Sequence, residues 1–194
     1  MTMLCWELEE KNFDLKYNWR ISRGASLNKT NLFIRLSSAD GTHIAAGEAA
    51  PNKRYGETPE TLHREFDAFL AGDPSCISSI DELESRLSAR VSCGALRFAI
   101  ESAFIHLLCK QTGKSIYDFL KIPRPGSLPT AYTIPVMDPG EIKSFYTQHR
   151  LSRFSMLKLK INAEEGPDAV AELRKQCAQP LMIDANEAWT DVEA

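Results

Sequence analysis

The chain has 194 residues, of which 43% are hydrophobic and 25% charged, and its formal net charge is −3. This composition is typical of a folded globular protein and excludes a disordered tail, a collagen-like repeat and a disulfide-dense small domain. Lysines and arginines gather on no single segment, so nucleic acid is not an expected partner. The five cysteines are odd in number and form no CxxC pair, which argues against a disulfide framework and against a zinc site.

We expect no targeting segment in the first residues. Glu7, Glu9 and Glu10 stand where a secretory signal would have its apolar run. The sequence also lacks the roughly 18 consecutive apolar residues of a transmembrane helix. We therefore expect a cytoplasmic protein with no membrane partner.

The first third of the chain has the pattern of a small antiparallel sheet. Alternating or clustered apolar residues predict strands at residues 6–15, 31–36 and 43–49. Between the first two strands, residues 18–30 are polar and longer than a hairpin turn needs, so they are predicted to form a loop.

Helical spacing of apolar residues follows from residue 58 onward. Thr58 and Pro59 predict the start of a first helix that ends at Gly72, and Gly113 predicts the end of a buried third helix. The second, third and fourth predicted helices span residues 79–91, 95–110 and 115–120. Strands followed by helices are the order of an α+β domain.

A linker divides the sequence at residues 122–129, which hold three prolines and a glycine. We place the domain boundary there, with an α+β domain at residues 1–124 and a second domain at residues 125–194. In the second domain strands and helices alternate, which predicts a βαβαβ unit with a parallel sheet. Its predicted elements are strands at 130–136, 154–161 and 181–185 and helices at 139–150 and 167–177.

The second strand of this domain carries two lysines. Lys158 and Lys160 are two residues apart, so their side chains share one face of the strand. A solvated face of an antiparallel strand would also explain such a pair. In a parallel sheet, however, both faces are covered, and two ammonium groups a few ångströms apart disfavour each other's charge. One of the lysines could then act as a base.

Polar residues also end the third strand. Asp184 and Asn186 share one face there, although an aspartate at a strand end is more often a helix cap or a turn residue. Ligands of parallel sheets and barrels bind at the carboxyl ends of the strands. The lysine pair and Asp184 are therefore expected to converge on one place.

Together these residues resemble the enolase superfamily in its muconate-lactonizing-enzyme-like branch, and most closely the dipeptide epimerases. The resemblance covers essentially the whole chain. It is carried by the lysine motif, by Asp184 to Trp189, and by the segment from Gly47-Glu48 to Glu57, which looks like a capping-domain loop. His106 departs from the pattern, because many members have an acidic residue there, and we expect this change to affect packing or the domain interface.

The resemblance implies an α+β capping domain followed by the first βαβαβ units of a modified (β/α) TIM-type barrel. It also implies a Mg²⁺-dependent epimerase that moves the proton at the α-carbon of a dipeptide through an enediolate. Lys160 would be the acid and base, and Lys158 would make it a better base and help to neutralise the substrate carboxylate. Asp184 would bind Mg²⁺, with Asn186 as a polar neighbour.

The same resemblance implies a set of substrate-binding residues, mostly in two loops of the capping domain. An arginine in such a loop could hold a second carboxylate bidentately, although solvated loop charges explain these residues as well. The set is Arg20, Arg23, Ser26, Lys53, Arg54, Tyr55 and Thr133.

A complete barrel of this type takes about 250 residues, so the predicted barrel is incomplete. We expect the chain to be the N-terminal part of a longer protein that has two more acidic metal ligands and a second lysine. A homo-oligomer is a candidate assembly of that longer protein. Alone it would be inactive. The alternatives are a related cycloisomerase or dehydratase, a Schiff-base lyase that uses Lys160, or a capping domain that acts only by binding.

Overall fold

The computed structural model describes the backbone of residues 3–21 and 24–185 and the side chains of residues 3–16 and 26–185. The chain divides into two compact units. The first comprises residues 1–13 and 28–124, and the second residues 14–27 and 125–194. This division differs from the boundary drawn at residue 124 in assigning residues 14–27 to the second unit. The two-domain boundaries stay a proposal.

Three strands form the first sheet, in the order β1-β2-β3. They are β1 (Leu4–Ile21), β2 (Gly24–Ser38) and β3 (Ile44–Ala49). The pairing of β2 with β3 is antiparallel and sets Leu36 opposite Ala45. The predicted loop at residues 18–30 is wrong, because β1 and β2 continue through most of it. Residues 11–14 and 27–29 are exposed, so this part of the hairpin lacks the one-sided burial that produces an alternating apolar pattern.

Four helices follow this sheet: α1 (Pro59–Leu70), α2 (Ile80–Arg90), α3 (Gly94–Thr112) and α4 (Ile116–Leu120). The predicted ends of α1 and α3 are confirmed to within two residues. The Thr58 hydroxyl accepts from the Thr61 N–H, and the Thr61 hydroxyl accepts from the Thr58 N–H, which makes a capping box. Gly113 ends α3 in the left-handed conformation, at φ 66°.

The core of the first unit lies around α3, which packs on β3. Its fully buried side chains include Leu96, Ala99, Ile100, Ala103, Phe104 and Leu107. Gly47 of β3 lies so close to α3 that a Cβ there would be 1.9 Å from the Ala99 carbonyl oxygen. Trp6 of β1 completes the core, with its ring edge-on to Phe69 and its indole N–H donating to the Pro74 carbonyl.

The second sheet has the strands β4 (Ala131–Ile134), β5 (Met156–Lys160) and β6 (Leu181–Asp184), all parallel and in that order. Helix α5 (Ile142–Gln148) connects β4 to β5, and α6 (Gly166–Gln176) connects β5 to β6. The predicted βαβαβ unit is confirmed. Short 3-10 helices at Pro139–Glu141 and Leu151–Arg153 flank α5.

One face of this sheet is apolar and forms the core of the second unit. Its buried side chains include Ile134, Ile142, Leu151, Leu157, Leu159, Ile161 and Leu173. Helix α6 begins close to the end of β5, because a Cβ on Gly166 would lie 2.9 Å from Ile161 Cδ1. Among the described residues, every helix is too short or too polar to span a bilayer.

Candidate active site

Strand register places four of the predicted site residues on one face of the second sheet. Thr133 of β4 is opposite Lys158 of β5, and Lys160 is opposite Asp184 of β6. Because side chains alternate along each strand, these four residues share the face opposite the buried leucines of β5. The period-2 argument for the two lysines is therefore confirmed.

The charged groups on this face converge on one carboxylate oxygen. Lys158 Nζ lies 2.7 Å from Asp184 Oδ2, and Lys160 Nζ lies 4.0 Å from the same atom. The Lys160 side chain is only 13% exposed, Asp184 22% and Lys158 31%. A solvated face of an antiparallel strand is thus the wrong explanation for the lysine pair.

This arrangement suits chemistry on a carboxylate. Two ammonium groups can neutralise an anion, and Asp184 offers the hard oxygen that Mg²⁺ prefers. Within the described residues, no three His, Cys, Asp or Glu side chains are grouped as a metal site. Asp184 could therefore supply one ligand of a divalent cation, but this part of the chain does not enclose the ion.

Sequence reasoning missed Met182. It is opposite Lys158 in the β5–β6 pairing, so its side chain lies on the lysine face, where it is 48% exposed. It places an apolar surface beside Lys158. Its position two residues before Asp184 is the signal that could have identified it.

Comparisons with known proteins find relatives and solved structures that are similar to this chain. No family model matches the chain. An L-Ala-D/L-amino acid epimerase from Pedosphaera parvula is 29% identical over 194 residues, which cover 94% of this chain and 53% of that protein. A solved enolase family member from Agrobacterium tumefaciens, with homology to dipeptide epimerases, is 25% identical at a TM-score of 0.80, covering 98% of this chain and 56% of that one.

The chain is similar to dipeptide epimerases of the enolase superfamily. A dipeptide epimerase from Methylococcus capsulatus, solved with Mg and L-Arg-D-Lys, has the same fold at a TM-score of 0.85, with 24% identity over 97% of this chain and 55% of that one. The predicted fold class, a capping domain followed by the first units of a barrel, is confirmed. The chain spans about half the length of the curated relatives it matches.

The described members of the predicted substrate-binding set of the capping domain lie on different elements of the chain. Lys53, Arg54 and Tyr55 form a short 3-10 helix after β3, with Tyr55 73% exposed. Ser26 is half-buried and lies in β2, not in a loop as predicted. Arg23 and Asn186 lie outside the described residues. For Arg20 only the backbone is described, not the side chain. The substrate-binding roles of all these residues remain predictions.

Two glutamates hold the segments around the N-terminus of α3, a role that the sequence analysis assigned to neither of them. Buried Glu57 accepts the N–H groups of Asn52 and Ala95, both at 3.0 Å, and so joins the loop after β3 to this helix. Glu65 of α1 accepts the N–H groups of Ser92 and Cys93, both at 2.8 Å. Carboxylates before or beside a helix N-terminus were the available signal.

Burial and hydrogen bonding shift the pKa values of two groups around the N-terminus of α3. Burial raises the pKa of Glu65, but its hydrogen bonds from Cys93 and Ser92 together outweigh burial and hold the pKa below its usual value of 4.5. Burial, followed by the neighbouring Glu65, raises the pKa of the Cys93 thiol. Cys93 is therefore a packed thiol and not an activated nucleophile.

His106 has a structural contact consistent with the packing role expected from the sequence. Its Nδ1 lies 3.4 Å from the Ala46 N of β3 and 3.5 Å from the Ala46 carbonyl oxygen. Lys110, one turn further along α3, donates to the Ile44 carbonyl. These two side chains form hydrogen bonds with backbone groups of β3.

Proposed function

We propose that this chain supplies the capping domain and one half of the catalytic site of a Mg²⁺-dependent dipeptide epimerase. The observation that carries the proposal is the convergence of Lys158 and Lys160 on Asp184 at the carboxyl end of a parallel sheet. The activities named for the relatives support the reaction class. The Mg and dipeptide in the Methylococcus structure support the cofactor and the kind of substrate.

In the proposed reaction, Lys160 Nζ removes the proton from the α-carbon of the substrate's carboxyl-terminal residue. The C–H bond breaks, the proton moves to nitrogen, and the electron pair passes into the carboxylate as an enediolate. Lys158 keeps its proton and offsets part of the new negative charge. Mg²⁺, held in part by Asp184, would supply further positive charge to the carboxylate.

Inversion also needs a proton donor on the opposite face of the α-carbon. The described residues provide lysines on one face only, so we propose that the 194-residue polypeptide alone does not epimerise dipeptides. Thr133 is opposite Lys158, and we propose that its hydroxyl contacts the substrate. Arg20, Arg23, Ser26, Lys53, Arg54 and Tyr55 remain the proposed contacts from the capping domain.

The test is deuterium exchange by the full-length protein in D₂O with Mg²⁺ and an alanine-containing dipeptide. Epimerisation incorporates deuterium at the α-carbon and yields both diastereomers without any other product. A cycloisomerase or dehydratase would instead change the covalent structure of its substrate. Borohydride trapping of substrate on Lys160 would indicate the Schiff-base alternative. A protein that exchanges no α-proton in any of a panel of dipeptides is not an epimerase.

A further inference from the structure

The ion pair at the site is diagonal across the sheet. The register partner of Asp184 is Lys160, yet the closer ammonium group belongs to Lys158, whose own partner is Met182. Two residues along a strand span about 6.6 Å, a distance that an extended lysine side chain can reach. The Lys158 side chain therefore extends toward the carboxyl end of the sheet and contacts the carboxylate there.

This contact occupies the carboxylate oxygen of the residue that is proposed to bind the metal ion. Lys158 Nζ is in hydrogen-bonding contact with Asp184 Oδ2, whereas Lys160 Nζ is at 4.0 Å from the same oxygen. The three side chains are between 13% and 31% exposed, so water screens their charges less than it would on an open surface. A divalent cation and an ammonium group on one oxygen repel each other.

We propose that Lys158 is the counter-ion of Asp184 in the metal-free protein, and that it leaves this carboxylate when Mg²⁺ binds. Lys158 thus competes with the metal for Asp184. The released ammonium group is then available to the carboxylate of the substrate, which couples metal binding to substrate binding. The inference rests on the proposed function in one respect, the assignment of Asp184 as a metal ligand.

The competition can be measured without substrate. Mg²⁺ alone is titrated into the ¹⁵N-labelled 194-residue chain, and the dissociation constant is taken from the amide shifts of residues around Asp184. Replacement of Lys158 by methionine (Lys158→Met) is expected to tighten Mg²⁺ binding by about two- to fivefold. This factor corresponds to the free energy of a partly exposed ion pair. Lys160→Met is expected to tighten it less, because its ammonium group is further from Oδ2.

Two further variants make the outcome specific. Lys175→Met removes one positive charge from α6, where Lys175 pairs with Glu172, and so controls for the change in net charge. Lys158→Gln repeats the test with a polar side chain, and the amide spectra of all variants report whether the fold is kept. The proposal is overturned if Lys158→Met and Lys158→Gln both bind Mg²⁺ no more tightly than Lys175→Met. It is also overturned if neither of the two Lys158 variants binds Mg²⁺ at all.

Asp184→Asn separates this inference from the proposed function. If Lys158→Met tightens binding and the further change Asp184→Asn removes the gain, the competition at Asp184 stands, whatever the deuterium-exchange assay shows. If the gain survives Asp184→Asn, the competition lies elsewhere and the inference fails, while the exchange assay still decides the reaction on its own.

Discussion

Gly47 in β3 and Ala99 in α3 meet backbone to backbone, since a Cβ on Gly47 would lie 1.9 Å from the Ala99 carbonyl oxygen. That carbonyl belongs to the middle of a buried helix and cannot move aside alone. We expect Gly47→Ala to lower the free energy of unfolding by about 3 kcal/mol or more, measured by urea denaturation. Gly126→Ala is the control, because nothing lies within 4 Å of its Cβ position, and we expect a change below about 0.5 kcal/mol. Equal effects of the two changes would contradict the close approach.

The Glu65 carboxylate should make the first unit sensitive to acid. Its pKa in the folded protein is below the usual value of 4.5, because the hydrogen bonds from Cys93 and Ser92 outweigh burial. A lowered folded pKa contributes stability above the unfolded pKa, and this contribution is lost as the pH falls through the folded pKa. We expect Glu65→Gln to lose stability at neutral pH and to have a shallower decline of stability below about pH 4.5.

The measurement for Glu65 is urea denaturation at a series of pH values from neutral to acid. Ser92→Ala is an informative companion, because it removes the hydroxyl that donates to Glu65 Oε1 and keeps the carboxylate. Its acid dependence should lie between those of the wild type and Glu65→Gln. If Glu65→Gln has the same pH dependence as the wild type, the lowered pKa is wrong.

The start of α6 limits the space beside the end of β5. A Cβ on Gly166 would lie 2.9 Å from Ile161 Cδ1 and 3.3 Å from Ile161 Cβ. We expect Gly166→Ala to cost about 1–2 kcal/mol of stability and Ile161→Val about 1 kcal/mol. Because Ile161→Val removes Cδ1, the double variant should cost less than the sum by about 0.5 kcal/mol or more. If the two losses of stability are strictly additive in urea denaturation, the added Cβ at position 166 does not contact the Ile161 side chain.

Local signals were sufficient to predict the helices and the barrel-like half of the fold. The Thr58 cap and Gly113 predicted their helix ends because a cap is defined by residues within one turn of it. The long hairpin could not be predicted in this way. Residues 11–14 and 27–29 are exposed, so hydrogen bonding between β1 and β2 extends the ribbon without an alternating apolar pattern.

The candidate site was predictable only in part. The part that could be predicted follows from local geometry, as it does for the helix ends. Period 2 decides which face Lys158 and Lys160 share, and parallel strands bring their carboxyl ends together. The offset between neighbouring strands is not encoded in either strand alone, so the sequence did not indicate which lysine contacts Asp184. The register alone does not decide this either, because it pairs Asp184 with Lys160 whereas the Lys158 ammonium group lies closer to Asp184 Oδ2. The register does place Met182 on the same face.

Substitutions of Lys160 and Asp184 in the full-length protein should have different consequences. Lys160 is expected to act on one face of the α-carbon, so Lys160→Ala should slow deuterium exchange about 100-fold or more from one substrate configuration and much less from the other. Asp184→Ala should slow exchange from both configurations, because the metal site serves both directions. Lys175→Ala, on the exposed face of α6, is the matched control and should keep full exchange. The measurement is the rate of deuterium exchange, determined separately from each pure diastereomer. If Lys160→Ala keeps the full exchange rate from both diastereomers, another group is the base.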